Sequence, residues 1–320
     1  MHKRILVTGS SGVVGGALQD IAPTTYRDHD FIFSTSKQCD LTNLAETVEY
    51  VRECNVDAIL HLAAVSGGIQ LSMEHPATVL RDNVLMNLNI MEAARLNGVK
   101  KTVMTLSTGI YPAKAPTPLR EECMHDGYPH ESNYSYSFAK RLVDPMIRAY
   151  RKEYGMNVIG LIPNAILGPR SNFDYKSSTV IPALIRRFYE NREGNEKIVV
   201  WGDGTPSREV TSSWDVARAF MWCLGHYDDV QCLNIGTTER ITVKEAAYLI
   251  CETLKIDKSR ILFDSTKPTG AQQKDTDNSK FLNLSRFKYM PISETIRKTI
   301  EYFVANYPNP HKLRLNHSSR

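Results

Sequence analysis

Residues 9–15 read Gly-Ser-Ser-Gly-Val-Val-Gly, directly after the apolar run Ile5-Leu6-Val7 and directly before a helical pattern over 13–21. Glycines at this spacing let a buried strand turn at once into a helix. They also bring backbone close to a bound pyrophosphate and allow tight helix–strand packing. The free N–H groups of the first helical turn then point at the anion. A chain that begins this way is constrained to an α/β architecture. Its dinucleotide site lies at the end of the first strand and is built from Gly9, Ser10, Ser11, Gly12, Val13, Val14 and Gly15.

The first half of the chain keeps the alternation that this start implies. Apolar runs at 31–34, 58–62, 102–107 and 157–162 predict strands, and helical patterns at 43–53, 83–97 and 132–154 separate them. Gly98 and Gly155 stand where a left-handed cap ends a helix, and Pro163 closes the fifth strand. Strands alternating with helices predict βαβ crossovers and a Rossmann-like, doubly wound parallel sheet. Beyond residue 165 the pattern weakens. Helices are expected at 180–191, 213–224, 242–254 and 292–306, with short strands at 197–201, 232–236 and 261–264. Thr242 with Glu245 three residues later forms a capping box. The expected organisation is a dinucleotide-binding domain over 1–165 plus roughly 211–240. A smaller, discontinuous C-terminal substrate lobe takes 166–210 and 241–320.

Composition excludes several function classes. The 39 Lys and Arg against 35 Asp and Glu leave a net charge of +4 with no concentrated basic stripe, so nucleic acid is not an expected partner. No apolar run approaches the roughly 18 residues of a membrane span. The basic start Met1-His2-Lys3-Arg4 precedes too short an apolar run for a signal peptide. Cys39, Cys54, Cys123, Cys223, Cys232 and Cys251 are scattered without a CxxC pair. That fits reduced thiols in a cytoplasmic protein and gives no metal site.

The second strand ends in Ser34-Thr35-Ser36-Lys37. NAD would call for a carboxylate there to bond its ribose hydroxyl. The hydroxyl of Ser36 and the cation of Lys37 suit a 2′-phosphate instead, so NADPH is the expected cofactor. Asp40 is expected near adenine, with Leu41 beside it in the cofactor set. Tyr136-Ser137-Phe138-Ala139-Lys140 places a phenol and an ammonium on one helical face. A cation near the phenolate lowers the tyrosine pKa and prepares Tyr136 for proton exchange near neutral pH. Ser107 ends the fourth strand at the carboxyl edge, where such sheets hold their ligands, and can hold a carbonyl beside Tyr136. Ser107, Tyr136 and Lys140 are the candidate catalytic triplet.

Longer segments carry a family likeness. They are Thr8–Gly15, His61-Leu62-Ala63-Ala64, Gly67-Gly68-Ile69, Leu106-Ser107-Thr108, the run Asn133 to Lys140, Gly168-Pro169 with Asn172-Phe173, Val199-Val200-Trp201-Gly202, Gly204-Thr205-Pro206 with Arg208, and Asn278-Ser279-Lys280. Along nearly its whole length the chain resembles the extended short-chain dehydrogenase/reductases, and within them the GDP-L-fucose synthase family. That family epimerises C3 and C5 of a GDP-4-keto-6-deoxy sugar and then reduces C4 with NADPH. The resemblance implies that Ser107, Tyr136 and Lys140 are the reductase residues. It adds Leu62, Ala63, Ala64, Pro163 and Asn164 to the cofactor set. It places Thr108, Asn164, Thr179, Arg186, Trp201, Arg208 and Lys274 around the GDP-sugar. An arginine fork suits a diphosphate, and a tryptophan offers a flat face to a base or sugar. The resemblance also implies a homodimer that pairs the helices at 83–97 and 132–154, whose apolar Leu85, Leu88, Met91, Leu142, Met146 and Ala149 allow such packing.

The departures from the family decide the expected chemistry. The family's epimerase cysteine, two residues after the strand-end serine, is Gly109 here, and its histidine before the Val-Ile-Pro run is Thr179. Glycine carries no proton-transfer group, and a threonine hydroxyl is a poor general acid at neutral pH. Arg170 stands where the family usually has histidine after Gly-Pro. The expected enzyme is an NADPH-dependent C4 reductase of a GDP-4-keto sugar, a 6-deoxyhexose or a heptose, without epimerisation. Full epimerase–reductase activity stays open through substitute groups at Cys123, His125 or His130. Two other readings fit less well. A non-catalytic dinucleotide sensor need not keep the triplet, and an NAD-holding 4-epimerase calls for the acidic residue that is missing after the second strand.

Overall fold

The computed structural model describes residues 3–266, 275–309 and 312–315. In chain order its strands are β1 (Lys3–Thr8), β2 (His29–Ser34), β3 (Ala58–His61), β4 (Lys101–Thr105), β5 (Val158–Pro163), β6 (Ala165–Leu167), β7 (Ile198–Trp201), β8 (Ser207–Ser212), β9 (Leu233–Ile235), β10 (Arg240–Thr242) and β11 (Ile261–Asp264). Six of these form one sheet in the order β2-β1-β3-β4-β5-β9, parallel throughout. The expected Rossmann-like parallel sheet is therefore present. From β1 the chain goes to β2 on one side and to β3 on the other. This reversal opens a crevice at the carboxyl ends of β1 and β3, where Thr8 pairs with both Ser34 and His61.

Strand periodicity builds the two layers of core. Ile5, Val7, Leu60, Val103, Ile159 and Leu161 face one side of the sheet and pack on the helix Ser213–His226. Leu6, Ile59, Met104, Val158 and Ile162 face the other and pack on the helices Pro76–Leu96 and Val143–Tyr154. A third core gathers Phe173, Leu184, Phe188, Ala247, Ile250, Ile296 and Phe303 around the sheets β10-β8-β6 and β11-β7. Strands β6, β8 and β10 were not anticipated: β6 is apolar but only three residues long and lies just after Pro163, and the Ser, Arg, Glu and Thr of β8 and β10 leave no apolar period.

Two helices differ from expectation for identifiable reasons. The helix expected from residue 83 begins at Pro76, a proline tolerated in a first turn, and runs to Leu96. The single helix expected over 132–154 is two, Tyr134–Arg141 and Val143–Tyr154. Pro145 lacks the N–H that would bond back to Arg141, so the ladder breaks at Leu142. Gly155 ends the second piece at φ +65. Among the described residues no helix is long and apolar enough to cross a membrane. All six cysteines are free.

Asn234 on β9 ties this edge strand to the chain that crosses above it. Its Oδ1 accepts from the Tyr111 hydroxyl at 2.6 Å, and its Nδ2 donates to the carbonyls of Leu119 (3.0 Å) and Asp277 (3.2 Å). Asn234→Ala takes this partner from the buried Tyr111 hydroxyl and the part-buried Asp277 carbonyl, while Leu119 O keeps its bond from Asp277 N–H, and should cost about 2 kcal/mol of unfolding free energy. Urea denaturation measures this; a loss below about 1 kcal/mol would mean that water replaces the amide.

Candidate active site

The phosphate loop sits in the crevice made by the strand-order reversal. Gly9 has φ +67, and a Cβ there would lie 2.6 Å from the Ala63 backbone nitrogen. Only glycine lets β1 turn this close to the loop that follows β3. Ser10 N–H donates to Ser34 O at 3.0 Å, fixing the loop against the end of β2. The helix Val13–Thr25 starts from Gly12 with no side-chain cap, so its first turn is left to an anion. A Cβ at Gly15 would lie 2.5 Å from Ser10 Cα, so the helix packs on the loop backbone itself. This cradle fits a pyrophosphate. Leu62 and Ala63 are half-buried and Ala64 exposed along the other wall. Beyond β2, Ser36 and Lys37 are exposed. Asp40 turns its carboxylate back on the Thr42 N–H (2.9 Å) and hydroxyl (2.7 Å), which hold its pKa down. Leu41 is buried, its carbonyl held by Asn89 at 2.9 Å.

The triplet assembles where the sequence places it. Ser107 follows β4 and caps the short turn Thr108–Ile110, its Oγ accepting from Gly109 N–H at 3.3 Å. Thr108 beside it is half-buried. Tyr136 and Lys140 stand one turn apart on Tyr134–Arg141. Lys140 is 1% exposed and donates to Thr105 O at 3.0 Å. Burial pushes its pKa down to about 8. Tyr136 corrects an expectation. Its pKa is not lowered by the lysine but raised to about 12 by burial, against the hydroxyls of Ser66 and Ser107, whose hydrogen bonds favour the phenolate. The desolvation of the phenolate outweighs both donors, and Tyr136 rests as a protonated acid. Ser66 has no sequence signal, because it lies in an aperiodic loop.

A buried histidine connects loop and triplet. His61 Nδ1 pairs with Thr8 Oγ1 at 2.9 Å and its Nε2 with Asn87 Oδ1 at 3.2 Å. The Asn87 amide donates to Ala139 O at 3.4 Å, one residue before Lys140. Burial, with Lys140 nearby, pushes the imidazole pKa down to about 3, so it stays neutral.

Several expected residues are engaged elsewhere. Arg186 sends its guanidinium to Glu190 (2.8 Å), Phe173 O (3.2 Å) and Leu315 O (2.7 Å), anchoring the C-terminal segment. Its neighbour Arg187 donates to Val199 O at 2.8 Å and lines an open cavity of about 380 Å³ with Tyr175, Asn191, Lys197 and Trp201. The apolar stripe Ile181, Leu184, Ile185 and Phe188 leaves both arginines on its flanks, so sequence periodicity could not choose between them. Trp201 is 59% exposed rather than core, with the Arg187 guanidinium 6.0 Å from its ring centre. Arg208 is half-buried, which lowers its pKa. Asn164 is buried and spent on protein partners, with Nδ2 3.1 Å from Thr237 O and Oδ1 accepting from Thr211 at 2.5 Å. Pro163 is buried at the end of β5. Thr179 is exposed at the start of Val180–Glu190. Arg170 pairs bidentately with Asp20, both bonds 2.9 Å, across the first helix. Lys274 lies outside the described residues. Of the substitute groups, Cys123 donates to Arg120 O (3.0 Å), His125 pairs with Asp144 (3.0 Å) and His130 with Ser132 (2.8 Å). Among the described residues none of the three hydrogen-bonds to the triplet.

Comparison with known proteins accords with this geometry. The family model described as the NAD dependent epimerase/dehydratase family matches residues 5–236. The chain belongs to this family. It is 33% identical to a GDP-L-fucose synthase of Dictyostelium discoideum, over 97% of this chain and 98% of that one. A crystal structure of a GDP-L-fucose synthetase from Naegleria fowleri bound to NADP superposes with a TM-score of 0.91 at 31% identity, covering 97% and 94% of the two chains. A GDP-mannoheptose C4 reductase from Campylobacter jejuni with NADP bound shares the fold, with a TM-score of 0.83 at 23% identity over 95% and 98% of the chains.

Lys140 generates a prediction with a definite sign. Its folded pKa of about 8 lies below the ordinary 10.5. The unfolded chain therefore binds more protons between these values, and stability rises as pH climbs from about 8 to 10.5. Lys140→Met should flatten that rise and raise the unfolding free energy at pH 7 by about 1–3 kcal/mol. Denaturant titrations across this range check it; equal or lower stability at pH 7 would show that the Thr105 bond outweighs desolvation.

Proposed function

We propose that this protein is an NADPH-dependent reductase of the C4 ketone of a GDP-4-keto sugar, a 6-deoxyhexose or heptose, and that it does not epimerise C3 or C5. The observation that carries this reading is the pairing of an assembled triplet with empty epimerase positions. Ser107, Tyr136 and Lys140 converge at the carboxyl edge of β4, while residue 109 has no side chain and residue 179 offers only an exposed hydroxyl. The GDP-sugar class is that of the named relatives at 31–33% identity.

The chain's own groups divide the work. Gly9 to Gly15 hold the cofactor pyrophosphate at the uncapped helix start, and Ser36 with Lys37 face its 2′-phosphate. Bound there, NADPH supplies the hydride that C4 receives. Ser107 donates a hydrogen bond to the C4 oxygen and keeps it beside Tyr136. Tyr136, protonated at neutral pH, gives its proton to that oxygen as it gains charge. Lys140 places a positive charge beneath the site and stabilises the tyrosinate left behind. Arg187 and Trp201, which line one cavity, take the diphosphate and a flat ring of the nucleotide. In this reading Arg187 replaces Arg186 as the anion-binding residue. Leu88 and Leu142 stay exposed on the two helices through which the family pairs, and we assign a homodimer to that face. Met91 is fully buried in its own core and takes no part.

Two measurements test the reading. The protein is incubated in D₂O with GDP-4-keto-6-deoxy-mannose and NADPH, and the product is read by NMR. Cofactor consumption without deuterium at C3 and C5 is expected. Deuterium at both carbons with the L-galacto configuration would make it a complete GDP-L-fucose synthase. For cofactor choice, Lys37→Ala should weaken NADPH binding about tenfold and NADH much less, by fluorescence titration. An unchanged ratio removes Lys37 from the 2′-phosphate site.

A further inference from the structure

Arg141 is the last residue of the helix Tyr134–Arg141 and follows Lys140 directly. It is 8% exposed, and its hydrogen-bond partners among the described residues are backbone carbonyls. Nε and Nη2 both donate to Ile110 O, the first at 2.8 Å, and Nη1 donates to Gly127 O at 2.7 Å. The ring centre of Phe138 lies 5.5 Å from the guanidinium carbon. Burial works against this charge and pushes its pKa down. Packing alone would be served at lower cost by an apolar side chain.

The two carbonyls are the stems of one excursion of the chain. Ile110 closes the turn after Ser107, its N–H donating to Ser107 O at 3.1 Å. The chain leaves through Pro112 and returns at Gly127, where Ala113 N–H donates to Tyr128 O at 2.9 Å. Lys140 reaches the other side of Ser107, donating to Thr105 O. Adjacent residues of one helix therefore bracket Ser107, Lys140 through the strand before it and Arg141 through the turn after it. The same helix carries Tyr136, whose hydroxyl hydrogen-bonds with that of Ser107.

We propose that Arg141 is a positioning residue for carbonyl reduction, its guanidinium tying the turn after Ser107 to the helix of Tyr136 and so fixing the two hydroxyls relative to each other. The inference rests on the C4-reductase reading, in which both hydroxyls meet the C4 oxygen. Arg141 acts through Ser107 and not on the substrate. The planar fork suits this task. Two N–H groups on one oxygen fix the Ile110 carbonyl, and a third reaches the returning stem. A lysine would keep the charge but offer only a point on a flexible stem. Misplacing a reacting group by about 1 Å costs about a hundredfold in rate.

The test is a double-mutant cycle on the intact enzyme, read by NADPH oxidation with GDP-4-keto-6-deoxy-mannose. Arg141→Met should lower kcat roughly thirtyfold, while KM for the sugar nucleotide and Kd for NADPH change by less than about threefold. In a Ser107→Ala background the same substitution should cost less than about threefold, because the hydroxyl it positions is gone. Equal losses in both backgrounds, or an unchanged kcat, would overturn the proposal. If Arg141→Met does not fold, Arg141→Lys takes its place in the cycle, with an expected loss of roughly tenfold. Hydrogen exchange supplies a readout independent of turnover. The amides of Gly109, Ile110 and Tyr111 should exchange at least about tenfold faster in either variant, while the helix Val143–Tyr154 keeps its protection. Unchanged exchange at the turn would also overturn the proposal. If the unaltered protein oxidises no NADPH with this sugar, or Ser107→Ala leaves kcat intact, the reductase reading fails. The exchange result then still decides whether Arg141 holds the turn.

Discussion

The site depends on a histidine that must stay neutral. His61 lies wholly inside the protein, bonded through one nitrogen to Thr8 and through the other to Asn87. Asn87 offers Oδ1 as an acceptor and uses its amide on Ala139 O, so His61 carries its proton on Nε2 and accepts from the threonine hydroxyl. The chain of bonds runs in one direction, from the strand that enters the phosphate loop to the helix that carries Lys140. A protonated imidazole would lose the acceptor that Thr8 needs and would face the buried ammonium. Burial and that ammonium hold it neutral. The same residue also fixes β4, since Thr105 Oγ1 donates to His61 O at 2.7 Å and Thr105 O receives Lys140. The glycine loop, the helix of Tyr136 and Lys140 and the strand leading to Ser107 are thereby set by one uncharged ring.

How much of this could be read from the sequence follows from how each feature is encoded. The parallel sheet and its reversal were legible because βαβ alternation repeats over many residues and leaves both periods visible. The placement of the triplet was legible because its spacing is local: Tyr136 and Lys140 share a turn, and Ser107 comes just after β4. The tyrosine's protonation was not. Proximity of a cation is written in the i,i+4 spacing, but the solvent excluded from both groups is set by chain far away, and desolvation prevailed. Ser66 and His61 were missed as functional groups for a similar reason. One sits in an aperiodic loop and the other reads as a strand residue until its partners at Thr8 and Asn87 are brought in by the fold.

The C-terminal part shows the limit of residue-by-residue transfer. Arg186 and Arg187 are adjacent, and a helix turns about 100° between them. One therefore points back to Phe173 O and Leu315 O while the other faces the cavity beside Trp201. A register of one residue exchanges an anchor of the C-terminal segment for a side chain bonded to Val199 O at the cavity wall, and charge alone does not separate them. Asn164 is a second instance. Its amide is consumed by Thr237 and Thr211, and a Cβ on Gly236 would lie 2.3 Å from it, so it links β5 to the strand beyond rather than facing outward.

Ser107 is held in place without help from a side chain at residue 109. Its hydroxyl accepts from the Gly109 backbone N–H, and the turn Thr108–Ile110 closes through Ile110 N–H to Ser107 O at 3.1 Å. Both bonds use main-chain atoms that any non-proline residue would supply. The orientation of the Ser107 hydroxyl is therefore indifferent to the side chain at residue 109, and the turn that presents it closes through the main chain.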